Sequence, residues 1–178
     1  MNVSRFFTTA GPIDAELHYY VPPLSRLDVD EILLLMRQRK YFILHAPRQT
    51  GKTSALLTLR DLLNEAGEFR CVYVNVEVGK AARERVGEGM RAILSALGRA
   101  ARHALDDGFV GEVWPAILDQ VGPNDALGEV LSRWAEADAT PLVLMIDEID
   151  TLVGDTLISV LRQLRDGYPE RPRRFPHP

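Results

Sequence analysis

The sequence contains little cysteine, few aromatic residues and no long apolar run. Its single cysteine, Cys71, opens a stretch with strand character, so we predict a small buried side chain there and no internal disulfide. That usage is typical of a reducing compartment, and we predict a cytoplasmic location. No apolar run approaches the ~20 residues of a membrane span, and the N-terminus has no signal-peptide pattern, so we expect no membrane partner. The net charge of −4 gives no support to a nucleic-acid partner.

The residues that are present are sufficient for one globular domain with a core. The chain has 178 residues, of which 46% are hydrophobic and 26% are charged. Stretches with strand character alternate with stretches of helical periodicity, which predicts an α/β fold with a parallel sheet. Glycines and prolines predict a loop over 106–122. The predicted strands are 41–45, 70–78 and 142–147, and the predicted helices are 28–40, 51–65, 80–105, 125–137 and 155–166.

Residues 46–53 read A-P-R-Q-T-G-K-T, the pattern of a phosphate-binding P-loop with alanine at its first position. The motif lies between a predicted strand and a predicted helix, where backbone N–H groups and a helix N-terminus favour a phosphate. Lys52 can reach the β- and γ-phosphates, Thr53 can bind Mg²⁺, and Gly51 allows close approach of the backbone. The alternative is a Gly-Lys-Thr turn that merely ends a strand. The predicted nucleotide-binding residues are Ala46, Pro47, Arg48, Gln49, Thr50, Gly51, Lys52, Thr53 and Ser54.

A second motif consists of an apolar run over 142–146 that ends in Asp147 and Glu148. Such a run is typical of a strand buried on both faces, and ligands bind at the carboxyl ends of such strands. We predict that Asp147 and Thr53 hold Mg²⁺, and that Glu148 orients and deprotonates water as a catalytic residue beside Lys52. The alternative is an ordinary strand that leads into an acidic loop. Because no N/T-K-x-D guanine motif occurs, we expect ATP rather than GTP.

With these motifs, the chain resembles the AAA-like ATP-binding proteins of bacteria and archaea, which are P-loop ATPases with a catalytic glutamate. The resemblance implies a three-layer αβα P-loop NTPase that uses ATP and Mg²⁺. It also implies that Tyr20 to Pro23 lie near the adenine, although this segment could equally be a strap that packs on the core. The residues that carry the resemblance are 6–12, 18–24, 45–53 and 144–150.

The resemblance ends near the C-terminus. Such ATPases have a further strand, with a polar residue that senses the γ-phosphate, between the P-loop strand and the strand that ends in the acidic pair. Here the prolines and arginines of 171–178 cannot form a buried strand. We therefore expect a sheet that is incomplete at the C-terminus, by truncation after the acidic pair. The two motif strands then either leave a gap or pair directly, and we expect poor stability and weak catalysis. The predicted divisions are an N-terminal strap and helix (1–40), an ATPase core (41–168) and a disordered tail (169–178).

Two kinds of function remain open. The first is an ATP-binding domain that hydrolyses ATP to ADP in a Mg²⁺-dependent reaction. The second is a nucleotide-binding switch or adaptor that does not hydrolyse ATP. A nucleic-acid-processing or transport kinase would use the same loop, but no site for a second substrate is visible. Self-association and a protein partner remain open.

Overall fold

The computed structural model describes residues 5–8, 14, 16–19, 21–45, 47, 49–170 and 174–176. These residues contain helices and strands in alternation, joined by turns of 3-10 helix such as Pro23–Arg26, Ile149–Thr151 and Tyr168–Glu170. The helices and strands are α1 (Val29–Arg37), α2 (Lys52–Ala66), β1 (Arg70–Asn75), α3 (Val86–Leu105), α4 (Phe109–Val121), α5 (Ala126–Glu136), β2 (Leu142–Asp147) and α6 (Gly154–Asp166).

Strands β1 and β2 pair in parallel, with Arg70 opposite Leu142 at one end and Asn75 opposite Asp147 at the other. Helices α3, α4 and α5 make the crossover between them. Side chains alternate between the two faces of the sheet, and each face packs against apolar residues of helices. Helices α1 and α2 lie on one face, and α3, α4, α5 and α6 lie on the other. The predicted α/β fold with a parallel sheet is therefore confirmed.

The predicted strand at 41–45 is wrong, because these residues form no strand and pair with neither β1 nor β2. Phe42 and Leu44 pack against the apolar cluster on the α1 and α2 face, whereas Ile43 is 90% exposed. A strand also needs a second backbone about 4.8 Å away, and no described residue supplies one here. The apolar pattern therefore reflects one-sided packing. From the sequence, we expect the segment before the phosphate loop either to pair directly with β2 or to leave a gap beside it. Direct pairing does not occur.

The predicted loop over 106–122 is also wrong, since α4 occupies most of it. The close packing of α3 against α4 depends on Gly98 of α3, and a Cβ atom added to Gly111 itself would meet no atom within 4 Å. A Cβ atom on Gly98 of α3 would lie 3.1 Å from the Cα atom of Gly111 in α4, closer than side chains normally allow. Pro115 lies inside α4 and removes one backbone donor, but the buried Val110 and Ile117 hold the helix on the core.

Smaller differences occur at the ends of elements. Strand β1 stops at Asn75 instead of residue 78, because the Asn75 side chain accepts a hydrogen bond from the Glu77 N–H (2.8 Å) and a 3-10 turn follows. Helix α3 begins at Val86 instead of residue 80. Helix α1 is capped by Asp28, whose side chain accepts a hydrogen bond from the Glu31 N–H at 2.9 Å.

Part of the C-terminal segment 169–178 belongs to the described residues. Phe175 is 1% exposed and packs with the cluster on the α3 side, where its ring lies against the backbone of Gly167. Arg174 forms an ion pair with Glu136 on α5 at 3.3 Å. The division of the chain at residues 40 and 168, and the disorder of the tail, stay predictions.

Two expectations from composition concern Cys71 and membranes. Cys71 is fully buried in β1, and burial raises the pKa of its thiol to about 12, so it has little thiolate character. Within the described residues, no helix has both the length and the apolar character needed to cross a bilayer.

Candidate functional site

The phosphate loop leads into α2, which begins at Lys52. Gly51 has a φ of 84°, a left-handed conformation that favours glycine, and no side chain caps the helix at this residue. No described residue accepts a hydrogen bond from the N–H groups of Lys52 and Thr53, so these groups remain available to a ligand, together with the positive end of the helix dipole. Lys52 is half-buried, and no described residue forms an ion pair or hydrogen bond with its ammonium group.

Side-chain hydrogen bonds hold the described part of the phosphate loop. The Thr50 hydroxyl donates to the Pro47 carbonyl at 2.7 Å, and Gln49 has a positive φ of 60°. The guanidinium of Arg26, at the end of the turn Pro23–Arg26, donates from Nη1 to the Thr50 carbonyl at 2.8 Å. Sequence reasoning missed Arg26, because only the fold places that turn beside the loop.

The remaining predicted residues of the loop give fewer contacts. Ala46 and Arg48 lie outside the described residues. Ser54 is half-buried in the first turn of α2, and its carbonyl accepts a hydrogen bond from the Thr58 hydroxyl at 2.9 Å. Of the segment predicted to lie near adenine, Tyr20 is outside the described residues and Val21 is exposed, so that role stays a prediction.

Asp147 connects the two sequence motifs. It ends β2 and is 5% exposed, which makes it a nearly buried carboxylate. Its Oδ2 atom accepts a hydrogen bond from the Thr53 hydroxyl at 2.9 Å, and its Oδ1 atom accepts one from the Glu148 N–H at 3.0 Å. The structure therefore brings Thr53 and Asp147 together, although 94 positions separate them in the chain.

Tyr73 is a second contact that sequence reasoning missed. Its hydroxyl donates to Oδ2 of Asp147 at 2.9 Å, so this oxygen accepts hydrogen bonds from two hydroxyls. Burial, the hydrogen bond to Asp147 and the negative charge of Asp147 together raise the pKa of Tyr73 to about 12. The residue could be identified only from the register of the sheet, which places Tyr73 opposite Met145 and one step from Asp147 on the same face.

Glu148 follows the strand with an uncommon backbone conformation, at φ 59° and ψ 29°. Such conformations cost energy in residues other than glycine and are frequent at functional sites. Its carbonyl accepts hydrogen bonds from the Thr151 hydroxyl (2.7 Å) and the Thr151 N–H (3.0 Å), which fix the turn Ile149–Thr151. No described residue pairs with its half-buried carboxylate, which therefore remains available to a water molecule or a ligand.

The residues around Asp147 fit a divalent cation that is shared with phosphates. The three hydrogen bonds that its carboxylate accepts all come from neutral donors, and no described cationic side chain is paired with it. A buried carboxylate without a cation is costly unless a bound ion provides the charge. No group of three or more His, Cys, Asp or Glu residues that could hold a metal occurs in the described ranges. Mg²⁺ in nucleotide sites commonly has one or two carboxylates, with phosphates and water completing its coordination.

Comparison with known proteins gives one match. Neither the curated proteins nor the solved structures contain a protein that matches this chain. The model of one protein family, described as the AAA domain, matches residues 35–176. That range covers most of the chain and includes α2, both strands and every residue of the two motifs. The chain therefore belongs to the AAA domain family, whose members bind nucleotides.

Proposed function

We propose that this chain is the ATP-binding, Mg²⁺-dependent ATP hydrolysis domain of an AAA-like ATPase, located in the cytoplasm and built as a three-layer αβα P-loop NTPase. The observation that supports the proposal most directly is the 2.9 Å hydrogen bond between Thr53 and Asp147. It joins the start of α2, where phosphates are favoured, to the carboxyl end of β2, where a metal carboxylate is expected. The two alternative interpretations, a turn that merely ends a strand and an ordinary acidic loop, do not predict this contact.

The phosphates would lie at the N-terminus of α2. Lys52 would contact the β- and γ-phosphates, since its ammonium group has no partner among the described residues. The uncapped N–H groups after Gly51 would donate to phosphate oxygens. Thr53 and Asp147 would hold Mg²⁺, which offsets phosphate charge when it is bound.

Glu148 would act on water. Its carboxylate would accept a proton from a water molecule whose oxygen attacks the γ-phosphorus, while the bond from that phosphorus to the bridging oxygen of ADP breaks. The products are ADP and inorganic phosphate. The backbone of Glu148 is fixed by Asp147 and Thr151, which would keep its side chain beside the phosphate site.

The binding part of this proposal can be tested by titrating the purified chain with a fluorescent ATP analogue in the presence of Mg²⁺. We expect Lys52→Ala to weaken binding by about 10- to 100-fold, because a charge-assisted contact to phosphate is lost. Lys80→Ala is the matched control, since that lysine is exposed and, within the described ranges, pairs only with Glu77, at 3.4 Å. Equal affinities of the two variants would contradict the proposed phosphate site.

The hydrolysis part can be tested by measuring phosphate release. We expect Glu148→Gln to lower turnover by about 10²- to 10⁴-fold with nucleotide binding retained, because only the proton acceptor is removed. If the wild-type chain binds ATP tightly and releases no phosphate, a nucleotide-dependent switch or adaptor is the better description.

A further inference from the structure

We propose that Tyr73 is a positioning residue whose hydroxyl holds the Asp147 carboxylate in the orientation that binds the nucleotide-associated metal ion. This inference rests on the proposed function. Tyr73 lies on β1 and belongs neither to the P-loop nor to the acidic motif.

One oxygen atom of Asp147 is in contact with two hydroxyl groups. Oδ2 of Asp147 accepts hydrogen bonds from Thr53 and from Tyr73, each at 2.9 Å. A carboxylate oxygen has two lone-pair directions, so the two hydroxyls together determine how the carboxylate is rotated about its bond to Cβ. Among the described residues, Oδ1 accepts a hydrogen bond only from the Glu148 N–H, which leaves one of its lone pairs available to an ion or to a water molecule of that ion.

Thr53 cannot fix the orientation of the Asp147 carboxylate alone once nucleotide binds. Thr53 would direct its own oxygen toward Mg²⁺, and its hydrogen bond to Asp147 would have to adjust to the ion. Tyr73 comes from the other strand, and the pairing of β1 with β2 fixes its backbone relative to Asp147. It therefore provides a support for the carboxylate that does not depend on the phosphate loop.

Asp147 is almost completely buried, and it has no cationic partner among the described residues. Hydrogen bonds from a second layer of residues commonly change metal affinity by about 10- to 100-fold, because they fix the ligand and compensate its charge. Tyr73→Phe keeps the ring and removes only the hydroxyl. We therefore expect it to raise the Mg²⁺ concentration needed for half-maximal binding by about 10-fold or more.

The test is a Mg²⁺ titration of binding of the fluorescent ATP analogue to wild type, Tyr73→Phe and Tyr168→Phe. Tyr168→Phe is the matched control, because it removes a phenolic hydroxyl in the turn Tyr168–Glu170, which follows α6 and lies outside both motifs. Binding with excess EDTA and the midpoint of thermal unfolding are measured on the same samples. We expect only Tyr73→Phe to shift the Mg²⁺ response, with its affinity in EDTA unchanged.

A double-mutant cycle with Asp147→Asn separates positioning from general packing. If Tyr73 acts through Asp147, Tyr73→Phe has no further effect on the Mg²⁺ response of Asp147→Asn. The inference is overturned if Tyr73→Phe needs the same Mg²⁺ concentration as wild type for half-maximal binding, or a lower one. That result leaves the proposed function intact. Wild-type binding that does not depend on Mg²⁺ or on Lys52 overturns both, and the two failures are thereby distinguished.

Discussion

The two halves of the candidate site are attached to the fold in different ways. Asp147 ends β2, which pairs with β1 along its whole length and is covered by helices on both faces. The phosphate loop instead follows residues 41–45, which form no strand and expose Ile43 almost completely. The carboxylate is thus positioned by the sheet before any ligand arrives. Side-chain contacts, such as the one from Arg26 to Thr50, position the loop.

This difference explains how the phosphate loop can form although the segment before it, 41–45, is not a strand. A phosphate loop needs a helix N-terminus and free N–H groups, which α2 provides without help from a neighbouring strand. A metal carboxylate needs a defined direction in a buried environment, which requires paired strands and second contacts such as Tyr73. We infer that nucleotide binding further restrains the phosphate loop, which the hydrogen bond from Thr53 to Asp147 already joins to the sheet.

The largest expected effect is on the free energy of unfolding, and it is measured by replacing one leucine in each half. Leu142 opens β2 at 2% exposure, whereas Leu44 is only partly buried in the segment before the loop. We expect Leu142→Ala to lower the free energy of unfolding by about 2–5 kcal/mol, because it leaves a cavity in the core. Leu44→Ala should cost about 1 kcal/mol, since less apolar surface returns to water. Urea denaturation measures both, and equal losses would mean that the two halves are packed equally well.

A smaller effect is expected at Asp107, which supports the sheet half. This carboxylate is 17% exposed and accepts hydrogen bonds from the Trp134 indole (2.7 Å), from the Phe109 N–H (2.8 Å) and from Arg70 at the start of β1. Burial alone would raise the pKa of Asp107, but these hydrogen bonds and the charge of Arg70 outweigh it and lower the pKa. We expect Asp107→Asn to cost about 1–3 kcal/mol at pH 7, with nucleotide affinity in EDTA unchanged.

The contribution of the Asp107 carboxylate to the free energy of unfolding depends on pH. Because folding lowers the pKa of Asp107, its stabilisation is present above its unfolded pKa of about 3.9 and is lost as the pH falls through its folded pKa. The difference in stability between wild type and Asp107→Asn should therefore shrink below about pH 4. Asp119→Asn, an exposed position on α4, serves as the control. A difference that stays constant from pH 7 to pH 3 would show that Asp107 contributes no charge-dependent stability.

The smallest effect is expected at Arg26, which supports the loop half. We expect Arg26→Ala to weaken binding of the ATP analogue by about 2- to 10-fold, the equivalent of one hydrogen bond, with the thermal midpoint nearly unchanged. Arg37→Ala is the control, because that exposed arginine pairs with Glu68 on the surface. If Arg26→Ala destabilises the whole chain without affecting binding, the contact belongs to the fold and not to the loop.

The sequence predicts well those parts whose chemistry is local. The motif around Lys52 needs only a glycine and a helix start, and α2 begins there. The apolar run before Asp147 predicts β2 with the correct bounds. The errors have another origin, because they depend on contacts between distant segments. Residues 41–45 have a strand-like pattern and lack a neighbouring strand among the described residues. Residues 106–122 contain glycines and a proline, yet most of them form α4 because Val110 and Ile117 pack into the core.

The contact of Tyr73 with Asp147 is a further example of such a limit. It depends on which residues face each other across β1 and β2, and strand register does not follow from a single sequence. The same holds for Arg26, whose partner lies 24 positions further along the chain.

Hydrogen exchange on the free chain, and on the chain saturated with Mg²⁺ and an ATP analogue, tests most directly whether the sheet half is rigid by itself and the loop half is restrained by nucleotide. We expect amides of 142–147 to be protected in both states, because they pair within the sheet. Amides of 41–45 should exchange rapidly in the free chain and slow down when nucleotide binds. Equal protection of both segments in the free chain, or no change at 41–45 at saturating nucleotide, would contradict the account.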